Sequence, residues 1–386
     1  MRLALHRLIF VGFAWCALGA LAMAQAPAKP LAQASHIAIL DQETGLVLQC
    51  KACEVPMPPA SMSKLMTVLL IAERLDQGKL KPDTLLPISE KAWRFGAQSD
   101  GSHMFLELNS QVRVEDLLKG VVVVSANDAC IALAEGASGS EEAFVAEMNA
   151  RAKELGLTSA QFRNATGLPD PGHVISALDL AKLARFIIQS QPDLYALYAV
   201  RELTYNTHTQ QNRNPLLGAF LGADGMKTGH TNISGYGLVG SAVENGVRRI
   251  IVFNGMNSMA ARKQEALRLM GSAFADFSAV KLYAKGAIVG DIPIALGAKR
   301  KIGLVAAQDI SIGFARASRP QMRAAIVYQG PIQAPVKAGA HVADLVIEGP
   351  GMAPQRFALL APKAIGRADP FTRAVHGLRK LTGSGA

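Results

Sequence analysis

The chain has 386 residues, which is enough for two domains and a sizeable hydrophobic core. Its 40 Lys and Arg against 30 Asp and Glu give a formal charge of +10, yet no nucleic-acid-binding motif accompanies this excess. No segment after the N-terminal apolar run has the length and hydropathy of a membrane span, and no internal repeat is apparent.

The N-terminus has the pattern of a secretory signal. Arg2 and Arg7 precede an apolar run, which ends at the small-residue cleavage site Ala22-Met23-Ala24. We therefore predict a signal peptide at 1–24 and an Ala/Pro/Gln-rich leader at 25–34. An uncleaved membrane anchor is the alternative, although the run is short for a bilayer span.

A β-hairpin is predicted next, because residues 37–40 and 46–48 are apolar and flank a turn-rich segment. Cys50 and Cys53 follow it, and in an oxidising compartment they could form a small-loop disulfide. A zinc site would need more ligands than lie nearby, and a thioredoxin-like redox pair would need a βαβ setting. The pairing of the two cysteines stays open at this point.

A candidate nucleophile lies at the start of the first predicted helix, 60–75. Two prolines precede Ser61, which places this serine in the first turn, at the positive end of the helix dipole. Lys64 lies three residues later and therefore on the same helix face. Burial would disfavour the charged lysine, so a neutral Lys64 could take the Ser61 proton as a general base.

A polar triplet containing Ser125 and Asn127 interrupts two apolar segments, 121–124 and 128–134. Buried polar groups are costly unless they have partners. We therefore predict that Ser125 relays a proton between Lys64 and a leaving amine. Asn127 would hold a substrate backbone and tether Lys64.

A third motif, Lys227-Thr228-Gly229, precedes a run rich in small residues at 234–242, and the two together predict a second hairpin. Lys227 would supply positive charge and Thr228 a hydroxyl. Gly229 would let the backbone approach a substrate closely.

The pattern of the remaining chain predicts one mixed domain followed by a small one. Predicted helices lie at 60–75, 114–122, 128–135, 141–155, 176–189 and 259–276, with strands near 236–242 and 249–253. This arrangement predicts an α/β (α+β) domain at 35–279 whose sheet includes the N-terminal hairpin. Short β-prone runs separated by Gly and Pro then predict an all-β domain at 280–362. A short basic, amphipathic tail at 363–386 ends the chain.

The order Ser61-x-x-Lys64, Ser125-x-Asn127, Lys227-Thr228-Gly229 resembles the motif set of the penicillin-recognising serine enzymes, which share a β-lactamase/transpeptidase-like fold. Together with their flanks and residues 211–217, these motifs look like those of the low-molecular-mass D-alanyl-D-alanine carboxypeptidases (peptidase S11-like). The resemblance covers about residues 34–362 and is loose in the second domain. Ala126 departs from it, because the carboxypeptidases usually carry glycine there and class A β-lactamases aspartate.

The resemblance implies roles by position. Ser61 is expected to be the nucleophile and Lys64 its base, with the oxyanion held between the backbone N–H groups of Ser61 and His230. The substrate carboxylate is expected on Thr228 and on an arginine of the next strand, Arg248, with Arg249 as the alternate because a slip of one residue exchanges them.

The implied activity is removal of the terminal D-alanine from peptidoglycan stem pentapeptides, with β-lactams as covalent inhibitors and no cofactor or metal. The implied location is the periplasm, with the tail as a peripheral contact to the cytoplasmic membrane. A D,D-endopeptidase, a serine β-lactamase and a non-catalytic peptidoglycan-binding protein are the alternatives.

Overall fold

The computed structural model describes residues 34–97, 101–350 and 352–370. The predicted signal peptide at 1–24, the leader up to residue 33 and the predicted tail from residue 371 onward lie outside these ranges. Within them, no helix combines the length and the hydropathy that crossing a membrane requires.

The first domain contains eight α-helices among the described residues, joined by 3₁₀ and π turns. The helices are α1 (Lys64–Asp76), α2 (Glu90–Ala97), α3 (Val114–Lys119), α4 (Asn127–Ser138), α5 (Glu141–Glu154), α6 (Ala177–Ser190), α7 (Pro192–Ala196) and α8 (Met259–Ala275). The strands are β1 (His36–Asp41), β2 (Val47–Lys51), β3 (Pro56–Met57), β4 (Leu85–Pro87), β5 (Gln111–Arg113), β6 (Ile175–Ser176), β7 (Glu202–Tyr205), β8 (His208–Gln211), β9 (Ala223–Thr231), β10 (Gly235–Glu244) and β11 (Val247–Met256).

Five of these strands form an antiparallel sheet of order β2-β1-β11-β10-β9, so the predicted N-terminal hairpin joins the sheet through β11. Ile250 and Val252 face the large core that also holds residues of α1, α4 and α6, whereas Ile251 and Phe253 face α8. Because helices cover both faces of the sheet, β11 is a continuous apolar run rather than an alternating one.

Several short elements were absent from the sequence-based prediction, namely α2, α7 and the strand pairs β4–β5 and β7–β8. The β7–β8 hairpin turns at residues 206–207, where Asn206 takes a positive φ of 52°. No glycine marks this two-residue turn, so the usual hairpin signal is missing from the sequence.

The second domain is all-β, as the sequence predicted. Its strands are β12 (Phe277–Tyr283), β13 (Ile288–Ala295), β14 (Lys301–Ala306), β15 (Ile310–Ala315), β16 (Arg323–Val327), β17 (Ile332–Gln333), β18 (His341–Gly349) and β19 (Met352–Leu360). They form a β12-β15 pair and a six-stranded sheet of order β16-β18-β19-β14-β13-β17 around a separate core.

This domain extends beyond its predicted end at residue 362. Ile365 pairs with Val336, Arg367 bridges to Gly297, and the backbone N–H of Ala368 donates to the carbonyl of Leu296 over 2.9 Å. Residues 363–368 therefore complete the β domain, and the predicted tail begins too early.

The three cysteines within the described ranges are a bonded pair and a single thiol. Cys50 and Cys53 form a disulfide with their Cα atoms 5.1 Å apart. Cys130 is free and fully buried in α4, and burial raises the pKa of its thiol to about 12. The thiol therefore stays protonated and acts as a small core side chain.

Candidate active site

Ser61 lies in a single 3₁₀ turn, Ala60–Ser63, that leads directly into α1. The predicted helix at 60–75 is therefore correct in place, but its first turn is tighter than an α-turn. Ala60 takes a positive φ of 49°, an uncommon conformation for a residue with a Cβ. Met62 is fully buried, so the turn is anchored in the core and holds Ser61 at the surface of the cleft.

Two glycines let backbone segments pack directly against this turn. A Cβ on Gly229 of β9 would lie 2.7 Å from the carbonyl oxygen of Pro59 and 3.2 Å from the Cβ of Ala60. Gly167 has a positive φ of 79°, and a Cβ there would collide with the Ala60 carbonyl. The close approach at Gly229 is thus to the chain's own turn at 60–63, which we call the nucleophile turn after the predicted role of Ser61.

Lys64 is fully buried, and its Nζ lies 2.9 Å from Ser61 Oγ. The same nitrogen donates to Asn127 Oδ1 over 2.7 Å and to the carbonyl oxygen of Thr166. Burial lowers the pKa of Lys64 from its ordinary value to about 8. A neutral amine has two N–H groups and one lone pair. Because the two other partners are pure acceptors, they take the hydrogens and leave the lone pair facing the Ser61 hydroxyl.

Ser125 and Asn127 are placed by an irregular stretch that the sequence did not predict, because the predicted helix at 114–122 is α-helical only as far as Lys119. After α3 the chain makes a π-turn, Gly120–Val124, and Ser125 then takes a left-handed conformation with φ of 65°. Its Oγ is buried and has no hydrogen-bond partner among the described residues. Asn127 opens α4, and its backbone N–H donates to the carbonyl of Ser102 over 2.7 Å.

The carboxylate of Asp128 fixes the loop that Asn127 contacts. It is fully buried and accepts from the backbone N–H groups of Met104, Leu106 and Ala129. This loop also carries Ser102, whose hydroxyl accepts from the guanidinium of Arg213. Asp128 therefore orients one wall of the cleft without lining it.

Lys227 and Thr228 lie on β9, the edge strand of the sheet, and both are buried. Burial lowers the pKa of Lys227 well below its ordinary value, and the positive charges of Lys64 and Arg213 lower it further. Its Nζ donates to the Thr228 carbonyl over 3.2 Å. In both Lys64 and Lys227 the lowered pKa favours the neutral amine over the ammonium.

A cleft of about 740 Å³ brings most of the predicted residues together. Its lining includes Ser61, Ser125, Asn127, Thr228, Gly229 and His230. The ring of His230 stacks on Tyr236 at 3.7 Å, which fixes the end of β9 beside the cleft.

Three cationic residues of the cleft lining were not among the predicted site residues, namely Arg213, Arg262 and Lys263. No carboxylate of the described residues forms an ion pair with Arg213 or Arg262. The Arg262 guanidinium lies 5.5 Å from the ring centroid of Tyr236 and has an unpaired Nε, and burial lowers its pKa to about 10. These two arginines are available for an anionic ligand.

The predicted carboxylate anchor, Arg248, is wrong. Its guanidinium forms a two-point ion pair with Asp224, with both distances 2.7 Å, and also donates to Tyr195 and Ser241. The alternate, Arg249, points to the other face of the sheet and pairs with buried Asp41. Both guanidinium groups are occupied within the protein, and neither residue lines the cleft.

Comparison with known proteins identifies two matching family models. The model described as D-alanyl-D-alanine carboxypeptidase matches residues 23–258. The model described as the C-terminal domain of penicillin-binding protein 5 matches residues 277–366.

Curated relatives cover most of the chain. The D-alanyl-D-alanine carboxypeptidase DacD of Salmonella typhimurium is 35% identical over 364 residues, covering 92% of this chain and 93% of the relative. DacF of Bacillus subtilis is 34% identical, covering 83% of this chain and 82% of the relative.

Solved structures agree in fold. DacD from Francisella tularensis superposes with a TM-score of 0.79 at 31% identity, covering 87% of this chain and 94% of that one. Penicillin-binding protein 5 from Haemophilus influenzae gives a TM-score of 0.72 at 34% identity, covering 86% and 98%.

The packing at Gly229 generates a prediction. In Gly229→Ala the new methyl group must push β9 away from Pro59, so we expect the rate at which Ser61 is acylated to fall by about 100-fold, the order expected for a misplacement of about 1 Å. Stopped-flow acylation with a fluorescent β-lactam measures that rate. Gly271→Ala in α8, where the methyl would meet open space, serves as the control. Equal rates for Gly229→Ala and wild type would show that the close approach does not position the site.

Proposed function

The chain belongs to the D-alanyl-D-alanine carboxypeptidase family, and from that membership we propose that Ser61, Lys64 and Ser125 carry its reaction. The protein is a serine-type D-Ala-D-Ala carboxypeptidase, a penicillin-binding hydrolase of the cell wall. The observation that carries the assignment of residues is the 2.9 Å contact between Lys64 Nζ and Ser61 Oγ, with the other two partners of the amine acting only as acceptors.

Acylation follows from this geometry. Neutral Lys64 takes the hydroxyl proton as Ser61 Oγ attacks the carbonyl carbon of the penultimate D-alanine. The backbone N–H groups of Ser61 and His230 are the proposed donors to the oxyanion. As the C–N bond breaks, the proton passes through Ser125 to the leaving D-alanine amine. Water then hydrolyses the acyl-enzyme, with Lys64 again as the base.

The free carboxylate of the substrate requires a cation at the opposite side of the scissile bond. Arg213 and Arg262 are the guanidinium groups of the described cleft lining that form no ion pair, and Thr228 of the same lining adds a hydroxyl. A guanidinium binds a carboxylate through charge-assisted hydrogen bonds, which are stronger than neutral ones. These residues therefore replace Arg248 as the proposed carboxylate site.

We propose that the protein works in the periplasm. The signal pattern of residues 1–24 supports export, and the Cys50–Cys53 disulfide supports an oxidising compartment. Contact of the predicted tail with the cytoplasmic membrane is part of this proposal and rests on the sequence of residues outside the described ranges.

The direct test of the function is release of D-alanine from a peptide ending in D-Ala-D-Ala. We expect release by the mature protein and none by Ser61→Ala or by protein treated with penicillin. No release by a folded wild-type protein would overturn the assignment. Release only from cross-linked peptides would favour the endopeptidase.

The pKa of Lys64 sets the expected pH dependence. Because the base must be neutral, the acylation rate should rise about tenfold per pH unit below pH 8 and level off above it. Single-turnover acylation by a fluorescent penicillin between pH 6 and 10 gives the profile, with circular dichroism as the control for folding. A flat profile, or a midpoint near the 10.5 of an ordinary lysine, would contradict the role of Lys64.

The carboxylate site is tested by Arg262→Gln. Loss of a charge-assisted hydrogen bond, about 1.5–3 kcal/mol, should lower kcat/KM for a D-Ala-D-Ala peptide by about 10- to 100-fold. The effect should vanish for the same peptide ending in a carboxamide. Arg248→Gln is the matched control, and we expect it to lower stability without this substrate dependence. The opposite pattern would restore Arg248 as the anchor.

A further inference from the structure

A second cavity, of about 320 Å³, adjoins the catalytic cleft. Leu168 lines both, so it forms the boundary between them. One side of the cavity is lined by Pro58, Pro59 and Ala60, the residues directly before Ser61. The other side lies at the end of β9, where His230 lines the cleft and the next residue, Thr231, lines the second cavity.

The two spaces carry opposite charge. In their described lining, the cleft has the basic side chains of Arg213, Arg262 and Lys263, whereas the only carboxylate is Asp170 in the second cavity. Asp170 is exposed, and none of its described neighbours forms an ion pair with it. A ligand that spans both spaces therefore complements them in charge when its end in the cleft is anionic and its end in the second cavity is cationic.

The base of the second cavity contributes no positive charge of its own. His173 is buried there, its Nδ1 accepts from the backbone N–H of Arg163 over 3.2 Å, and its ring packs edge-on against Phe162. Burial lowers the pKa of this histidine to about 4, so it is neutral at physiological pH. His173 therefore does not neutralise the carboxylate of Asp170, which can pair with a cationic ligand.

The remaining walls suit an aliphatic chain. Pro58, Pro59, Pro169 and Pro171 line the cavity, together with Ile233, which is 73% exposed. Long amine-bearing side chains lay their methylene groups along apolar surfaces of this kind and keep the ammonium in water.

The spacing along β9 fits a three-residue ligand. An extended strand rises about 3.3 Å per residue, so Thr228 and Thr231 are about 10 Å apart. A peptide that lies along this edge strand with its terminal carboxylate near Thr228 therefore places its third residue from the end beside Thr231, at the mouth of the second cavity.

We infer that the second cavity is a subsite for the residue preceding D-Ala-D-Ala, and that Asp170 selects a side chain ending in a free ammonium, as in a lysine-type diamino acid. This inference rests on the proposed carboxypeptidase function. An amine that has been acylated in a cross-link has lost its charge. The subsite therefore directs the enzyme to stem peptides that are not yet cross-linked.

The test compares two peptides, Nα-acetyl-Lys-D-Ala-D-Ala and the same peptide acetylated also on its side-chain amine. We expect wild type to prefer the free amine in kcat/KM by roughly two- to fivefold, the size of one exposed ion pair, and less at high salt. Asp170→Asn should bring the ratio to about one, and Asp170→Lys should invert it. Asp193→Asn, an exposed aspartate of α7 that lines neither space, should keep the wild-type ratio.

The same ratio measured as binding to Ser61→Ala by calorimetry separates this inference from the proposed function. If wild type turns over both peptides with equal kcat/KM, the subsite is overturned. A preference for the free amine that Asp170→Asn leaves unchanged also overturns it. Absence of D-alanine release with an amine preference retained in binding overturns the carboxypeptidase reaction and supports the subsite.

Discussion

The site depends on one constraint, which is that the amine of Lys64 must be kept out of water and next to a hydroxyl. In water a lysine is protonated and cannot act as a base, and burial brings its pKa to about 8. The two acceptors that orient the amine come from distant parts of the chain, the start of α4 and the turn at residue 166. This placement of the amine therefore exists only when α1, α4 and that turn are packed together in the first domain.

The same arrangement concentrates unfavourable features in a small volume. Ala60 and Ser125 both have positive φ, and the Oγ of Ser125 has no partner among the described residues. Three basic side chains, Arg213, Arg262 and Lys263, line the cleft, and its described lining holds no carboxylate. Strained backbone and unpaired polar groups persist where the surrounding fold holds them in place. Here the helical core and the sheet provide that support.

The residues that we propose to be catalytic could be picked out from the sequence because each belongs to a short local motif. Ser61 with Lys64, Ser125 with Asn127, and Lys227 through His230 are each short segments, and the structure brings them to one cleft, with buried Lys64 and Lys227 directly behind its lining. The arginine was mispredicted because its choice required knowledge of strand neighbours. Arg248 on β11 reaches across β10 to pair with Asp224 on β9, and a contact between side chains two strands apart cannot be read from the local sequence. One signal for Arg262 was available, since it shares the helical stripe of Ala266, Leu269 and Ala273, where an arginine is out of place unless it serves a site.

The two glycines that flank the nucleophile turn restrict how the enzyme can change over evolution or under selection by β-lactams. With Gly167 and Gly229 in direct backbone contact with residues 59 and 60, no side chain there can be enlarged or reduced to adjust the position of Ser61. Substitutions that reshape the cleft without moving this turn are therefore left to side chains of its walls, such as those of Leu168 and Tyr236.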